Sequence, residues 1–122
     1  MGTKILRNNE TGSVLIKAYC TDSREENLEL LQANSTDGAG EKHVPVVEIA
    51  DGLVKVRVGA VEHPMAEDHF ITFIVLQTKK SDQIVRLKPG EKPEAVFAIA
   101  PGDEPVAAYE YCNKHGLWKT EL

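Results

Sequence analysis

The sequence predicts an all-β protein, a sandwich or barrel of short strands preceded by a small amino-terminal segment. Three observations carry this reading. Runs of four to eight residues rich in Val, Ile, Phe and Tyr recur through the chain, Gly- and Pro-containing turns separate them, and no long stretch keeps a helical period. At 122 residues the chain fits one principal domain, long enough to bury a core.

Taken in order, residues 12–19 read as a strand, and SREENLELLQAN (23–34) as either a capped helical turn or another strand. STDGAG (35–40) is rich in small residues and reads as a junction between the amino-terminal piece and the sandwich. Residues 44–49 and 53–58 are β-branched runs flanking Asp51-Gly52, a dipeptide that favours a tight hairpin turn. Residues 70–77, 83–87, 95–99 and 106–111 follow as short strands, separated by KKSD, KPGEKP and APGDEP.

Charge and composition exclude several functions. The formal net charge is −5 and the lysines are scattered, which is unfavourable for a phosphate-binding face, so nucleic acid is not an expected partner. No run of eighteen apolar residues is present, and MGTKILRNNETGS lacks the apolar core of a secretory signal. The expectation is a soluble cytoplasmic protein without a membrane partner. In a reducing compartment Cys20 and Cys112 remain thiols rather than forming a disulfide.

The rare residues lie at the expected strand ends. His43 begins the first strand of the hairpin, His63 and His69 lie in the loop EHPMAEDH, and Cys112 and His115 lie in the turn after the strand ending at Tyr111. Each alone reads as an ordinary surface or hydrogen-bonded side chain. Together, four imidazoles and a thiolate exceed what tetrahedral structural zinc takes, and the nitrogen set with one soft sulfur suits a redox metal such as iron. Five ligands leave one octahedral position open.

Two other readings compete. A blue-copper electron carrier is also a small β-sandwich, with Met65 as a candidate axial ligand, but it leaves two of the four histidines unexplained. An interaction module with incidental histidines predicts no tightly bound metal.

GEKHVPVVE (40–48), VEHPMAEDHFI (61–71) and EYCNKHGLW (110–118) resemble, in order and spacing, the iron-site motifs of superoxide reductases, the desulfoferrodoxin and neelaredoxin family. The resemblance implies an immunoglobulin-like β-sandwich over residues 35–122, with one mononuclear iron cycling between ferrous and ferric states. It implies four equatorial ligands, His43, His63, His69 and His115, and an axial Cys112 sulfur. The implied reaction is one-electron reduction of superoxide to hydrogen peroxide, with the sulfur pushing electron density toward the metal and favouring product release. Main-chain N–H groups of Lys114 and His115 would tune that sulfur.

Glu41 and Lys42 match a Glu-Lys pair that the family carries on a mobile loop. There the glutamate closes the open position and the lysine draws in the anion and helps deliver protons. A cation beside the site is what a chain of net charge −5 needs to attract superoxide. The family also implies an external rubredoxin-like electron donor and a homo-oligomer, dimer or tetramer.

Residues 1–34 depart from the two-iron members. Asn8, Thr11, Ser23 and Arg24 stand roughly where those members place four cysteines, so this segment reads as a vestigial desulforedoxin-like unit without metal ligands. Cys20 lies off that pattern and reads as structural or incidental.

Overall fold

A computed structural model of the chain describes residues 3–19 and 27–122. The chain divides into two compact units, Met1–Gln32 and Ala33–Leu122.

The first unit is a three-stranded antiparallel sheet of β1 (Ile5–Asn8), β2 (Val14–Ile16) and β3 (Leu28–Leu30), in the order β2-β1-β3. The strand expected over residues 12–19 is thus shorter, and a preceding strand pairs with it. The described part of SREENLELLQAN holds strand β3 rather than helix; Ser23, Arg24 and Cys20 lie outside the described residues. Asn8 builds the β1–β2 turn. Its side-chain oxygen accepts the N–H groups of Glu10 and Thr11 at 2.9 and 3.1 Å, and its main-chain carbonyl accepts the Gly12 N–H at 2.7 Å. Where the resemblance implies a thiolate, a neutral amide therefore organises the turn.

The second unit holds a one-turn helix α1 (Gly40–His43) and strands β4 (Pro45–Ala50), β5 (Leu53–Val58), β6 (Ile71–Thr78), β7 (Asp82–Arg86), β8 (Glu94–Ala98), β9 (Pro105–Cys112) and β10 (Gly116–Glu121). They form two antiparallel sheets, β10-β9-β6-β7 and β4-β5-β8. This β-sandwich is the fold class expected from the strand pattern.

Alternation along β5 explains its packing. Val54, Val56 and Val58 turn inward while Leu53, Lys55 and Arg57 face outward. Against these valines lie Ile74, Leu76, Ala108 and Cys112 from the opposite sheet, with Phe97 of β8. Each fully buried Val or Ile contributes about 1.5–3 kcal/mol, so the core holds β6 and β9 firmly where their ends meet the functional residues. The β4–β5 hairpin turns at Asp51-Gly52, both with positive φ (54° and 75°), as the dipeptide requires.

Two elements differ from the sequence reading. His43 ends α1 instead of opening a strand; Pro45 cannot continue the helix and pushes Val44 to extended backbone. Gly116–Glu121 forms edge strand β10, beyond the last strand read from the sequence. Nor is the 35–40 junction a free linker. The Asn34 side chain pairs with the β10 main chain, donating to Lys119 O at 3.2 Å and accepting from Lys119 N at 2.9 Å. Its own N–H donates to Leu117 O at 2.9 Å.

Gly59, just past β5, has φ +86°. A Cβ there would overlap the Val61 carbonyl and lie 2.8 Å from the Lys42 main chain. Gly52 has φ +75° but open space around it. In urea denaturation Gly52→Ala should lose only the left-handed cost of about 1–2 kcal/mol. Gly59→Ala should lose a further amount of about 1–3 kcal/mol from forced overpacking. Equal losses would mean that α1 does not rest on Gly59.

Candidate metal centre

The sandwich brings all five sequence-selected residues to one end. One donor atom from each of His43, His63, His69, Cys112 and His115 lies within 4.8 Å of every other. They come from the last residue of α1, the β5–β6 loop, the end of β9 and the β9–β10 turn. His43 and His63 are each only 2% exposed and Cys112 is fully buried. His69 and His115 are partly exposed.

Local hydrogen bonds fix the rings. His43 Nδ1 lies 2.8 Å from Ala39 O, and His63 Nδ1 lies 2.7 Å from Pro64 O. A carbonyl can only accept, so both Nδ1 atoms carry the proton and both Nε2 atoms present lone pairs. Those two Nε2 atoms face each other at 3.2 Å. The His43 Nε2 also lies 3.1 Å from His115 Nδ1, and the buried His69 Nε2 has no partner among the described residues. Converging lone pairs without protons between them repel, and a cation placed among them removes that repulsion. The donor set therefore fits a metal ion, with Nε2 of His43, His63 and His69, Nδ1 of His115 and the Cys112 sulfur as ligand atoms.

Burial lowers the pKa of His43, His63 and His69, that of His63 to about 4, and the neighbouring imidazoles add to the effect. Neutral rings are the form a metal needs. Burial raises the Cys112 thiol, while the main-chain N–H groups of Lys114 and His115 pull in the opposite sense. The sulfur lies 3.8 Å from His115 Nδ1.

Several supporting residues carry no sequence signal of their own. Asn113 ties the two ligand loops together. Its side chain accepts from Phe70 N at 2.9 Å and donates to Asp68 O at 3.0 Å. Trp118 stacks on His43 with ring centroids 5.0 Å apart and donates to His115 O at 3.0 Å. Thr36 donates to the same carbonyl, and a Cβ on Gly38 would come within 3.3 Å of the His43 ring. Tyr111 stacks on Phe73, with ring centroids 5.8 Å apart. Glu110 is fully buried and neither carboxyl oxygen has a partner among the described residues; burial raises its pKa well above the ordinary range, favouring the neutral carboxyl. Glu41 and Lys42 are exposed on α1, adjacent to His43.

The copper reading fails on geometry, since all four histidines converge with the cysteine while the Met65 sulfur accepts the Ile71 N–H at 3.3 Å.

The desulfoferrodoxin family model matches residues 35–121. A desulfoferrodoxin of Desulfarculus baarsii is 50% identical over 96 residues, covering 79% of this chain and 75% of that protein. A superoxide reductase of Thermococcus kodakarensis is 34% identical over 105 residues, covering 72% of this chain and 91% of that protein. Among solved structures, the superoxide reductase from Treponema pallidum superposes with a TM-score of 0.82 at 33% identity, covering 99% of this chain and all of that one.

The depressed histidines set an acid limit. Unfolded His63 takes up a proton near its ordinary 6.5, whereas native His63 refuses it until about 4. Its contribution to stability is therefore complete above 6.5 and is lost as pH falls through that interval. The metal-free protein should show a urea midpoint that declines over this range, and His63→Gln should flatten the decline. Parallel pH profiles for the two proteins would refute the assignment.

Proposed function

Because this chain belongs to the desulfoferrodoxin family, we propose that it is a superoxide reductase, reducing superoxide to hydrogen peroxide with one electron and two protons. The observation that carries this reading is the convergence of four imidazoles and one thiol on a single point. When bound, a mononuclear iron supplies the electron and, after each turnover, needs another from outside.

The chain's own residues hold and bias that centre. His43, His63, His69 and His115 supply neutral nitrogens, and Cys112 supplies a sulfur whose N–H neighbours favour the thiolate. The ring positions are stiff because carbonyls pin His43 and His63 while Trp118 covers His43.

Lys42 captures the substrate anion. The chain as a whole carries −5, yet the Lys42 ammonium is close enough to lower the proton affinity of His43 and His69. That same field favours an arriving anion. Glu41, its neighbour on α1, would offer its carboxylate to a bound ion when no substrate occupies the site. The electron donor is a rubredoxin-like protein, and the active form is a dimer or tetramer. Residues 1–34 are a leader segment that keeps no metal ligands, as Asn8 and Thr11 illustrate. The cellular site is the cytoplasm; no helix among the described residues is long and apolar enough to cross a membrane.

Iron analysis with visible spectra tests the centre. Wild type should hold a single iron per chain and develop a thiolate-to-ferric band on oxidation. Cys112→Ser should lose that band. An intense blue copper band, or no stoichiometric metal, would overturn the reading.

Pulse radiolysis tests Lys42. Lys42→Ala should capture superoxide about tenfold or more slowly at low ionic strength, with a weaker salt dependence. A rate equal to wild type there would remove Lys42 from steering.

A further inference from the structure

Met65 lies between two ligand histidines, His63 and His69, in the β5–β6 loop. Its sulfur accepts the Ile71 N–H at 3.3 Å, closing the 65–71 segment that carries His69 and directly follows His63. Its carbonyl accepts the Gly90 N–H at 2.8 Å, and its side chain packs on the sandwich core. Within the loop Ala66 and His69 exchange main-chain bonds of 3.0 and 3.1 Å. Ile71 is fully buried and stands opposite Cys112 in the β6–β9 ladder. Met65 as a residue is only partly buried, and it lines an open cleft together with Lys42, Glu62, His63, Gly90 and Lys92. That cleft, of about 450 Å³, admits a peroxide molecule easily.

We propose that Met65 is an oxidation site at which hydrogen peroxide loosens the histidine loop and weakens iron retention. The proposal rests on the superoxide reductase reading for its source of peroxide, formed beside this loop at every turnover. Peroxide transfers one oxygen to the thioether: its O–O bond breaks, an S–O bond forms, sulfur is oxidised by two electrons, and water leaves with both protons. Where the new oxygen adds on the side of the sulfur that meets the Ile71 N–H, the existing geometry is lost. That oxygen either occupies the space of the Ile71 N–H, pushing the sulfur back, or the side chain turns away and leaves a buried N–H without a partner. Both outcomes move the His63–His69 segment and disturb the start of β6 opposite Cys112. Methionine sulfoxide is enzymatically reducible, so the loss is reversible.

The experiment treats iron-loaded and zinc-loaded full-length protein with added hydrogen peroxide, zinc serving as the redox-inert control. Peptide mass mapping should find one oxygen added at Met65 in both forms. Chelator competition should then show iron affinity lowered about 10–100-fold, and the Ile71 amide should exchange faster with solvent. Methionine sulfoxide reductase should restore both. Met65→Leu, which also removes the acceptor of the Ile71 N–H, should bind iron more weakly from the start yet show no further peroxide-dependent loss of affinity; should that variant fold poorly, oxidation and enzymatic repair of the wild type give the same information. An unmodified Met65 at a dose that oxidises free methionine in the same tube would overturn the proposal, as would oxidised protein that binds iron as tightly as before. Because the peroxide is added, the result is independent of superoxide chemistry, which a separate superoxide-consumption assay reads.

Discussion

The facing nitrogen lone pairs of His43 and His63 are the constraint on which the rest of the second unit depends. Two imidazoles whose Nδ1 protons are committed to carbonyls point bare Nε2 atoms at one another across 3.2 Å. On their own, two such lone pairs repel. The arrangement persists because the surrounding structure fixes each ring independently: α1 and Trp118 on one side, the Pro64 carbonyl and the β5–β6 loop on the other. A metal ion converts that opposition into coordination, so binding energy is returned to a fold that already holds the donors in place.

The sandwich is suited to this because its ligands sit at strand ends and loop anchors. β6 and β9 are central strands, buried on both sides over most of their length. A bulge between Ile71 and Phe73 lets the start of β6 turn toward the ligand loop, and the Thr72 hydroxyl secures it by donating to Tyr111 O at 3.1 Å. The cost of the site is equally visible. Cys112 belongs to the core cluster, and the buried Glu110 carboxyl two residues earlier has no partner among the described residues. Polar atoms occupy positions that in a purely structural sandwich would be aliphatic, and the valines of β5 with Ile74 and Leu76 offset that loss.

Much of this was legible in the sequence, for physical reasons. Histidine and cysteine are scarce in the chain, so their clustering at strand boundaries stood out. The Asp51-Gly52 hairpin followed from the only residue types that accept two successive positive φ angles there. What was not legible depends on distant partners. A four-residue helix such as α1 is shorter than any detectable period, and β10 is an edge strand whose Gly116 and Lys119 disguise its pairing. The bonds of Asn34 to Lys119 span 85 residues, and Thr36 reaches 79 residues to His115. Met65 read as a rival metal ligand because its type and position allowed that; only the Ile71 N–H beside its sulfur assigns it otherwise.

The Glu41–Lys42 turn shows how such distant contacts alter a functional reading. By sequence it is a Gly-rich stretch, and the family resemblance implies a mobile loop. Here its main chain is held from several directions. The Lys42 N–H donates to Ala39 O at 3.0 Å, the Val44 N–H to Gly40 O at 2.9 Å, and the Val61 N–H to Glu41 O at 2.9 Å. Gly59 lets the β5–β6 loop rest directly on the Lys42 backbone. In this bonded turn the Glu41 and Lys42 side chains remain exposed. Rotamer changes of exposed side chains are fast, on the picosecond to nanosecond scale. The Lys42 charge thus stands next to His43 on a turn whose main chain is hydrogen-bonded on several sides, and its side chain can change rotamer without breaking those bonds.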